Sequence, residues 1–392
     1  MNGRHDAAQE IAADVAVIGG GITGLSVAWQ LSRLGVDRIV VLEAGAPGFK
    51  STGQSSGGVR SQFTTRLEIE MSLASLPFFD MLLADSTFTG AFNRVGYAVL
   101  AGPEQAASLI TAVDLQQSMG VRSEWIEQAN LAARFPYINP DGLAGGTFCP
   151  DDGFISPWAI VSWLVDACRA AGVTILEHSP VDTVMVERGR VHGVASGTLH
   201  VVADVVVNAA GAWAGEVGKL AGVRVPVTPS PRVKYVTGPH PALPADMPLI
   251  IDLPTGAYVR SDDGGAMVGV KPPAPVMSFS TDVDPAQLRW MEDQASIRFP
   301  SLRGEAVARL VTGLYEVTPD GLPVAGAAPG VSGFFVVAGF NGHGIMHGPG
   351  VARAVAEQIA SGASKTLDLS ALAIDRAIDP RVTAETDART LL

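Results

Sequence analysis

The sequence predicts an α/β plus α+β fold, in which a doubly wound parallel sheet is joined to a second domain of antiparallel sheet. Three observations support this prediction. A strand, a glycine turn, a helix and a second strand follow one another at residues 15–44, further apolar strands occur at residues 205–208 and 334–338, and residues 225–275 are rich in proline with alternating side chains. Alternating strands and helices build parallel sheets, whereas a period of two residues is typical of antiparallel sheets.

The opening unit is predicted as a strand at residues 15–18, a helix at 22–34 and a second strand at 38–42. Its turn has the spacing G-x-G-x-x-G at Gly19, Gly21 and Gly24, and Glu43 follows the second strand, about 20 residues further on. The first glycine permits a tight turn, the second lets backbone approach a pyrophosphate, and the third lets the helix pack closely on the strand. A carboxylate at the position of Glu43 accepts hydrogen bonds from a ribose. The unit therefore predicts a Rossmann-like, dinucleotide-binding domain; a glycine-rich turn in another doubly wound domain does not account for Glu43.

Hydrophobic periodicity and turn residues predict the other elements. Residues 45–63 form a loop rich in glycine, serine and threonine, which suits the phosphate or the ring of a ligand. The further predictions, in chain order, are a helix at 67–83, a strand at 95–100, a helix at 105–120, a strand at 123–126, a helix at 127–135, a turn-rich crossing at 145–153, a helix at 157–171, strands at 173–177, 181–187, 190–196, 197–203 and 205–208, antiparallel sheet over 225–275, a helix at 285–299, a return towards the first domain at 306–315, a strand at 334–338, a helix at about 350–361 and a tail over the last ~20 residues.

Composition excludes several classes of function. A chain of 392 residues exceeds the usual size of one hydrophobic core, so two domains are expected. The net charge of −12 argues against a nucleic-acid partner. Cys149 and Cys168 form no C-x-x-C pair, so we expect small buried residues, no metal site and a reducing compartment. Residues 1–14 are polar and no apolar run reaches the ~18 residues of a membrane span, so we expect a loose N-terminal tail, no membrane span and a cytoplasmic location.

Four separated segments carry a family resemblance. They are VIGGGITGLSVAWQL with Glu43, NAAGAW, GLYEVTPDGLPVAGAAPG and GFFVVAGFNGHGIMHGPGVARAVAEQIASG. In this order they resemble the D-amino-acid oxidase-like family of FAD enzymes, and they look closest to its sarcosine oxidase, proline dehydrogenase and glycine oxidase branch. The resemblance implies FAD, and the chain adds its own reason. A second glycine turn, GFNGHG, opens another helix whose N-terminus could stabilise negative charge on a reduced flavin.

The resemblance implies a cofactor site and a domain plan. FAD would be held without a covalent bond, because Gly313 stands where the sarcosine oxidase branch has a flavin-linked cysteine. We assign residues 1–90, 145–224 and 310–392 to the FAD-binding domain, and residues 91–144 and 225–309 to the substrate-binding domain. The expected cofactor-binding residues are Gly19, Gly21, Ile22, Thr23, Gly24, Glu43, Ala44, Ser51, Thr52, Ser55, Ser56, Val181, Ala210, Gly211, Trp213, Gly313, Gly342, His343, Gly344, Ile345 and Met346.

The implied reaction is oxidation of the C–N bond of a small amino acid or secondary amine of the sarcosine, proline or glycine type. A hydride passes to flavin N5, and the resulting imine hydrolyses in water. The expected catalytic residues are Arg60, which follows the flavin loop and could bind a carboxylate, Tyr258 and Tyr315 as hydroxyls or walls, and His343, which could act as a base or shape its turn. Arg232, Arg260 and Lys271 are further carboxylate candidates.

Two departures from the family pattern concern the electron acceptor. Met267 and Met346 stand where that branch has an oxygen-activating lysine and a carboxylate-binding lysine, so an acceptor other than oxygen becomes a stronger alternative. Two other functions stay open, namely a dehydrogenase of 2-hydroxy acids and a flavin-binding subunit of a larger amine dehydrogenase complex. The chain could form a homo-oligomer or a hetero-oligomer, and an NAD-dependent enzyme is the least favoured reading.

Overall fold

The structure is a computed structural model that describes residues 9–274 and 276–376. Within these residues the chain forms eight α-helices, separated by strands as the sequence predicts. They are α1 (Ile22–Arg33), α2 (Arg66–Ala84), α3 (Pro103–Ser118), α4 (Gln128–Arg134), α5 (Pro157–Ala170), α6 (Ala214–Leu220), α7 (Pro285–Arg298) and α8 (Gly344–Ser361).

Six strands form the central sheet of the first unit, which we call the parallel sheet. Its order is Thr174–Leu176, Ile39–Leu42, Val15–Ile18, Val205–Asn208, Phe334–Ala338 and Val324–Ala327, and only the last strand runs antiparallel to its neighbour. The strands are short and apolar because both faces are covered. Helices α1, α5 and α8 pack together on one face, and α6 lies on the other face with a small meander. The predicted doubly wound fold is confirmed.

Eight strands form a second sheet, which we call the roof sheet. Its order is Val307–Val317, Thr228–Thr237, Gly265–Val270, Ala257–Asp262, Leu249–Asp252, Tyr97–Ala101, Gly145–Cys149 and Glu124–Glu127, with a single parallel pair in the middle. Side chains alternate between its two faces. Val233, Tyr235 and Val268 point to the outer face, where they share a core with Met291 of α7. The alternate residues of the same strands therefore face the parallel sheet.

Two smaller sheets complete the fold. One consists of Gln9–Ala12, Leu199–Val202, Arg190–Ser196 and Thr183–Glu187, and the other of Gly58–Val59, Gly153–Ile155 and Phe92–Asn93. The expectation of a loose tail over residues 1–14 is wrong for residues 9–12, because these pair in parallel with residues 199–202. Residues 1–8 and the predicted tail beyond residue 376 lie outside the described residues.

Three further predictions of elements are wrong. The turn-rich crossing at 145–153 contains the strand Gly145–Cys149, whose glycines let Trp125 and Leu100 approach the backbone. The segment predicted at 306–315 to return towards the first domain is instead an edge strand of the roof sheet, Val307–Val317. Helix α8 begins at Gly344 rather than near residue 350 and accommodates Pro349 within it.

The chain alternates between the two large sheets. Residues 15–42, 174–208 and 324–338 contribute the strands of the parallel sheet, and the segments between them contribute the strands of the roof sheet. The strands at residues 145–149 and 307–317 belong to the roof sheet. The exact domain boundaries stay a prediction.

Candidate active site

A cavity of about 1450 Å³ lies between the ends of the parallel strands and the inner face of the roof sheet. The residues that follow Val15–Ile18, Ile39–Leu42 and Val205–Asn208 line it from below. Ligands of doubly wound sheets bind at this carboxyl edge. Drug-sized ligands occupy about 300–1,000 Å³, so the cavity has room for a dinucleotide and a small second ligand.

The first glycine turn forms one end of the cavity. Gly19 has a φ of 109°, and a Cβ there would lie 2.4 Å from the carbonyl oxygen of Ala209. A Cβ on Gly24 would lie 2.0 Å from the carbonyl oxygen of Gly19, so only glycine lets α1 approach the turn. The Glu43 carboxylate accepts hydrogen bonds from the N–H groups of Gly20, at 2.7 Å, and Gly45, at 2.8 Å. These contacts place a carboxylate beside the positive end of α1.

The N-terminus of α8 lines the opposite part of the cavity. His343 is the residue before the helix, and the first N–H groups of a helix have no intrahelical acceptor. Arg60 is 2% exposed, donates Nη1 to the carbonyl oxygen of Gln62 and lies with Nη2 3.3 Å from Nε2 of His343. A guanidinium can only donate, so in a hydrogen bond between the two groups this nitrogen of His343 is the acceptor. The Arg60 guanidinium also lies over the ring of Phe63, with its carbon 3.9 Å from the centroid.

Arg232 and Tyr315 extend from neighbouring strands of the roof sheet into the cavity. The guanidinium carbon of Arg232 lies 4.5 Å from the centroid of the Tyr315 ring, and Nη1 donates to Ser230 Oγ. The Tyr315 ring also packs on Gly342, where a Cβ would lie 2.4 Å from ring atoms. No carboxylate among the described residues forms an ion pair with Arg232. Arg232 is therefore a half-buried cation available to an anionic ligand.

Lys234 lies two residues further along the same strand and on the same face as Arg232. Its side chain is buried, and Nζ donates to the carbonyl oxygen of Gln54 and, at 3.3 Å, to Ser56 Oγ. Burial lowers the pKa of Lys234 to about 7, and the nearby Arg260 guanidinium adds to this. Across the sheet, the ring of Tyr258 lies over Gly269, the residue opposite Lys234. Burial raises the pKa of the Tyr258 hydroxyl well above its usual value, so this group stays protonated.

The half-buried side chain of Glu316 also lines the cavity. Glu316 accepts a hydrogen bond from the N–H group of Gly339 at 2.9 Å, and burial raises its pKa to about 7. It is also close to Gly211 and Gly344, where a Cβ would lie 3.7 and 3.8 Å from its carboxylate oxygens. Glu316 is therefore a proton-sharing or hydroxyl-binding group between the two glycine turns.

The residues present fit FAD. The turn at Gly19–Gly24 and Glu43 would hold the adenosine diphosphate part, and the open side of Gly21, where a Cβ would meet only Thr52 Oγ1, leaves room for the pyrophosphate. Residues 51–58 and the start of α8 would hold the isoalloxazine ring. The ring would then lie below the inner face of the roof sheet.

The cavity brings together nearly all residues that the sequence predicts for the site. Twenty of the predicted cofactor-binding residues and all four predicted catalytic residues line it, and Gly24 alone lies behind the turn, by the lining residues that the structure describes. Met346 lines the cavity and Met267 is buried opposite Val236 in the roof sheet. Their roles and those of the other predicted residues stay predictions.

Sequence reasoning missed Lys234, Glu316, Gln54 and Tyr97, which also line the cavity. A signal for Lys234 was present, because it shares the strand face of Arg232 by the period of two. For Gln54 and Tyr97 no local pattern distinguishes a lining residue from any other polar or aromatic residue.

A parallel sheet with two glycine turns at one cavity, roofed by an antiparallel sheet with cations and tyrosines, defines a flavin-binding oxidoreductase. The comparisons with known proteins agree. The chain belongs to the DAO family of FAD dependent oxidoreductases, whose family profile matches residues 14–358. It is an FAD-binding enzyme.

Individual relatives extend over most of the chain. FAD-dependent oxidoreductase domain-containing protein 1 of Bos taurus is 30% identical over 93% of this chain and 84% of its own length. A 4-methylaminobutanoate oxidase (formaldehyde-forming) of Paenarthrobacter nicotinovorans is 28% identical over 92% of this chain, which spans 45% of that relative. The crystal structure of L-proline dehydrogenase from P. horikoshii matches with a TM-score of 0.85 and 24% identity, covering 93% of this chain and 97% of that chain. The structural likeness supports the fold.

No helix among the described residues has both the length and the apolar composition that crossing a membrane requires. The cytoplasmic location and the oligomeric state stay predictions.

Proposed function

We propose that this protein oxidises the C–N bond of a small amino acid or secondary amine that carries a carboxylate. When bound, FAD supplies the hydride acceptor. The released imine would hydrolyse in water to a carbonyl compound and an amine. Relatives named for 4-methylaminobutanoate and for L-proline, both of which combine an amine with a carboxylate, support this class of substrate.

The observation that carries the proposal is the inner face of the roof sheet. It presents Arg232 and Lys234 towards the place expected for the flavin ring, with Tyr258 and Tyr315 beside them. Arg232 is a half-buried cation without a carboxylate partner among the described residues, and such a group favours an anionic ligand, since its desolvation is otherwise uncompensated.

In this proposal Arg232 binds the substrate carboxylate, because a guanidinium can hold both oxygens at once. Tyr315 fixes the direction of that guanidinium through their stacked contact. The rings of Tyr258 and Tyr315 exclude water from the reacting C–H bond. Arg60 stays a second carboxylate candidate, although both of its Nη atoms already have partners in Gln62 and His343.

The test of the function is reduction of the bound flavin under argon by a panel of compounds. We expect bleaching by a carboxylate-bearing amine, such as sarcosine, L-proline or glycine, and no bleaching by matched 2-hydroxy acids such as glycolate and L-lactate. Bleaching by the hydroxy acids alone would replace the proposal with a hydroxy-acid dehydrogenase. Repeating the productive reaction in air measures reoxidation by oxygen.

The role of Arg232 is tested by Arg232→Ala beside Arg60→Ala. Loss of a charged hydrogen bond costs about 1.5–3 kcal/mol, so kcat/KM for the carboxylate amine should fall about 10- to 150-fold in Arg232→Ala. A matched amine without the carboxylate should lose much less. Arg289→Ala, an exposed arginine of α7, is the control for the loss of a guanidinium. If kcat/KM falls only in Arg60→Ala, the substrate carboxylate is bound by Arg60 rather than by Arg232.

A further inference from the structure

Lys234 has a role still to be explained. Its ammonium or amine group is buried, lines the cavity and has no ion-pair partner among the described residues. A buried lysine without a carboxylate costs free energy, and such groups cluster at functional sites. Its position between Arg232 and Tyr258 places it within the substrate half of the cavity.

The two hydrogen bonds of Lys234 are compatible with a neutral amine whose lone pair faces the cavity. Both partners, the Gln54 carbonyl oxygen and Ser56 Oγ, lie on the loop that follows Ser51 and Thr52. A neutral amine has two N–H groups and one lone pair, whereas an ammonium has three N–H groups. With two acceptors supplied by one loop, the third direction of Nζ is left for the cavity.

The charges around Lys234 come from three strands. Arg232 is on its own strand, Arg260 and Asp262 are on the strand of Tyr258, and Arg309 is on the edge strand Val307–Val317. Asp262 forms ion pairs with both Arg260, at 3.0 Å, and Arg309, at 2.8 Å, so its charge is already balanced. The surroundings of Lys234 are therefore net positive, which favours the neutral amine.

The separation of Arg232 and Lys234 along their strand fits a small amino acid bound between them. Residues two apart on one strand are separated by about 6.6 Å. The Arg232 head group leans towards Tyr315, whereas Lys234 leans towards Gln54 and Ser56. A ligand whose carboxylate is held by Arg232 can thus direct its nitrogen towards Lys234.

We propose that Lys234 is a further catalytic residue, which contacts the substrate nitrogen and accepts its ammonium proton before hydride transfer. This inference rests on the proposed function. In the step, the N–H bond of the substrate ammonium breaks, its electron pair stays on the substrate nitrogen, and the proton forms a third N–H bond on Nζ. A neutral amine results, whose lone pair can support departure of the neighbouring hydride. Burial and the net positive surroundings lower the pKa of the substrate ammonium as they lower that of Lys234, so the proton can pass between the two nitrogens at neutral pH.

The first experiment compares the rate of anaerobic flavin reduction by sarcosine or L-proline in the wild-type holoenzyme, Lys234→Met and Lys234→Arg. The wild-type rate should rise with pH to a plateau, with an apparent pKa near 7. Both variants should lose about 10²-fold or more at pH 7, because neither side chain can accept the ammonium proton and a general base typically contributes about 10²–10⁴-fold. Near pH 10 a free secondary amine is already largely neutral in solution and needs no acceptor. Both should approach the wild-type rate at pH 10. Lys365→Met, an exposed lysine after α8, is the matched control and should keep the wild-type profile.

A pH-dependent recovery separates a proton acceptor from a structural residue. Damage to the site would lower the rate equally at all pH values, and an unchanged profile in Lys234→Met would overturn the proposal. FAD content and the thermal midpoint of each variant establish that the protein is folded and loaded.

A second experiment needs no turnover. Acetate is titrated into the wild-type holoenzyme and into Lys234→Met, and the flavin absorbance reports binding. Protonated Lys234 attracts the anion, and Glu316 repels it once ionised, so wild-type affinity should weaken as pH rises through 7. Lys234→Met should keep only the shallower dependence that comes from Glu316, and a dependence as steep as in the wild type would overturn the proposal. A pH-independent wild-type affinity would overturn the role of Lys234, even if no amine on the panel bleaches the flavin and the proposed function itself fails.

Discussion

Gly342 shows how one residue supports the site. Its φ of 94° lies in the left-handed region, and a Cβ there would lie 2.4 Å from two ring atoms of Tyr315. The absence of a side chain thus lets the second glycine turn and the roof sheet meet. The ring of Tyr315 in turn contacts the guanidinium of Arg232.

We expect Gly342→Ala to lower stability by about 2–4 kcal/mol, the sum of about 1 kcal/mol for a positive φ and about 1–3 kcal/mol for the overlap with Tyr315. The matched control is Gly304→Ala, because Gly304 has a φ of 75° and no atom within 4 Å of its Cβ position. Thermal unfolding and FAD titration measure both variants. If both variants lose the same amount of unfolding free energy, the contact of Gly342 with Tyr315 does not contribute to stability.

Single residues were predictable where a motif fixes their type. Gly19, Gly21 and Glu43 follow from one spacing rule, and Gly342 and Gly344 from the second glycine turn. Lys234 was not predicted, since its importance depends on burial by a loop about 180 positions away along the chain. The period of two places Lys234 on the strand face of Arg232, but its burial by a distant loop leaves no local pattern.

At the scale of elements, α8 joins the cavity to the end of the described chain. Its first turn faces the cavity, and near its last turn Glu357 accepts hydrogen bonds from the N–H groups of Lys365, at 2.7 Å, and Thr366, at 2.8 Å. The hydroxyl of Thr366 and the Arg353 guanidinium also donate to this carboxylate. These hydrogen bonds hold the pKa of Glu357 to about 2, against an ordinary value of 4.5, although burial acts in the opposite direction.

Because the pKa of Glu357 is lowered in the folded protein, its contribution to stability is present above pH 4.5 and is lost as the pH falls towards 2. The shift corresponds to about 3 kcal/mol. We expect the thermal midpoint of Glu357→Gln to lie below that of the wild type at pH 7, and the gap to narrow at pH 3. Glu104→Gln, at an exposed glutamate of α3, is the control. If the thermal midpoints of wild type and Glu357→Gln differ by the same amount at pH 7 and pH 3, the Glu357 carboxylate is not the source of the stabilisation.

Strands with strong local patterns were predicted to the residue, as at Val205–Asn208 and Phe334–Ala338. The strand Gln9–Ala12 was missed because its partner, Leu199–Val202, is far away in the sequence. The start of α8 was placed too late because Pro349 resembles the first residue of a helix. In the structure the helix starts earlier, and proline there removes only one backbone donor.

At the scale of the molecule, both large sheets contribute walls to one cavity, so FAD should couple them. We expect FAD to slow hydrogen exchange at residues 19–24, 51–58, 313–316 and 342–346, because a ligand that binds only the folded state suppresses local opening wherever it makes contact. ADP is the matched control and should protect residues 19–24 and 43–45 alone. Protection by FAD confined to those same residues would contradict the placement of the flavin ring below the roof sheet.

The fold class, the family and the cofactor were predictable because their signals are glycines and acids at fixed spacings. The strand order of the roof sheet was not, since pairing such as Leu249–Asp252 with Tyr97–Ala101 joins segments about 150 residues apart. The edge strand Val307–Val317 was predicted only as a return towards the first domain, since its partner Thr228–Thr237 is distant in the sequence.

The repeated passage of the chain between its two sheets has an evolutionary consequence. A single recombination breakpoint between residues 101 and 307 leaves strands of both large sheets on each side, so one crossover cannot exchange the roof sheet as a unit. Substitution at the inward positions of the roof strands is therefore the direct way to change substrate preference with the nucleotide half left in place.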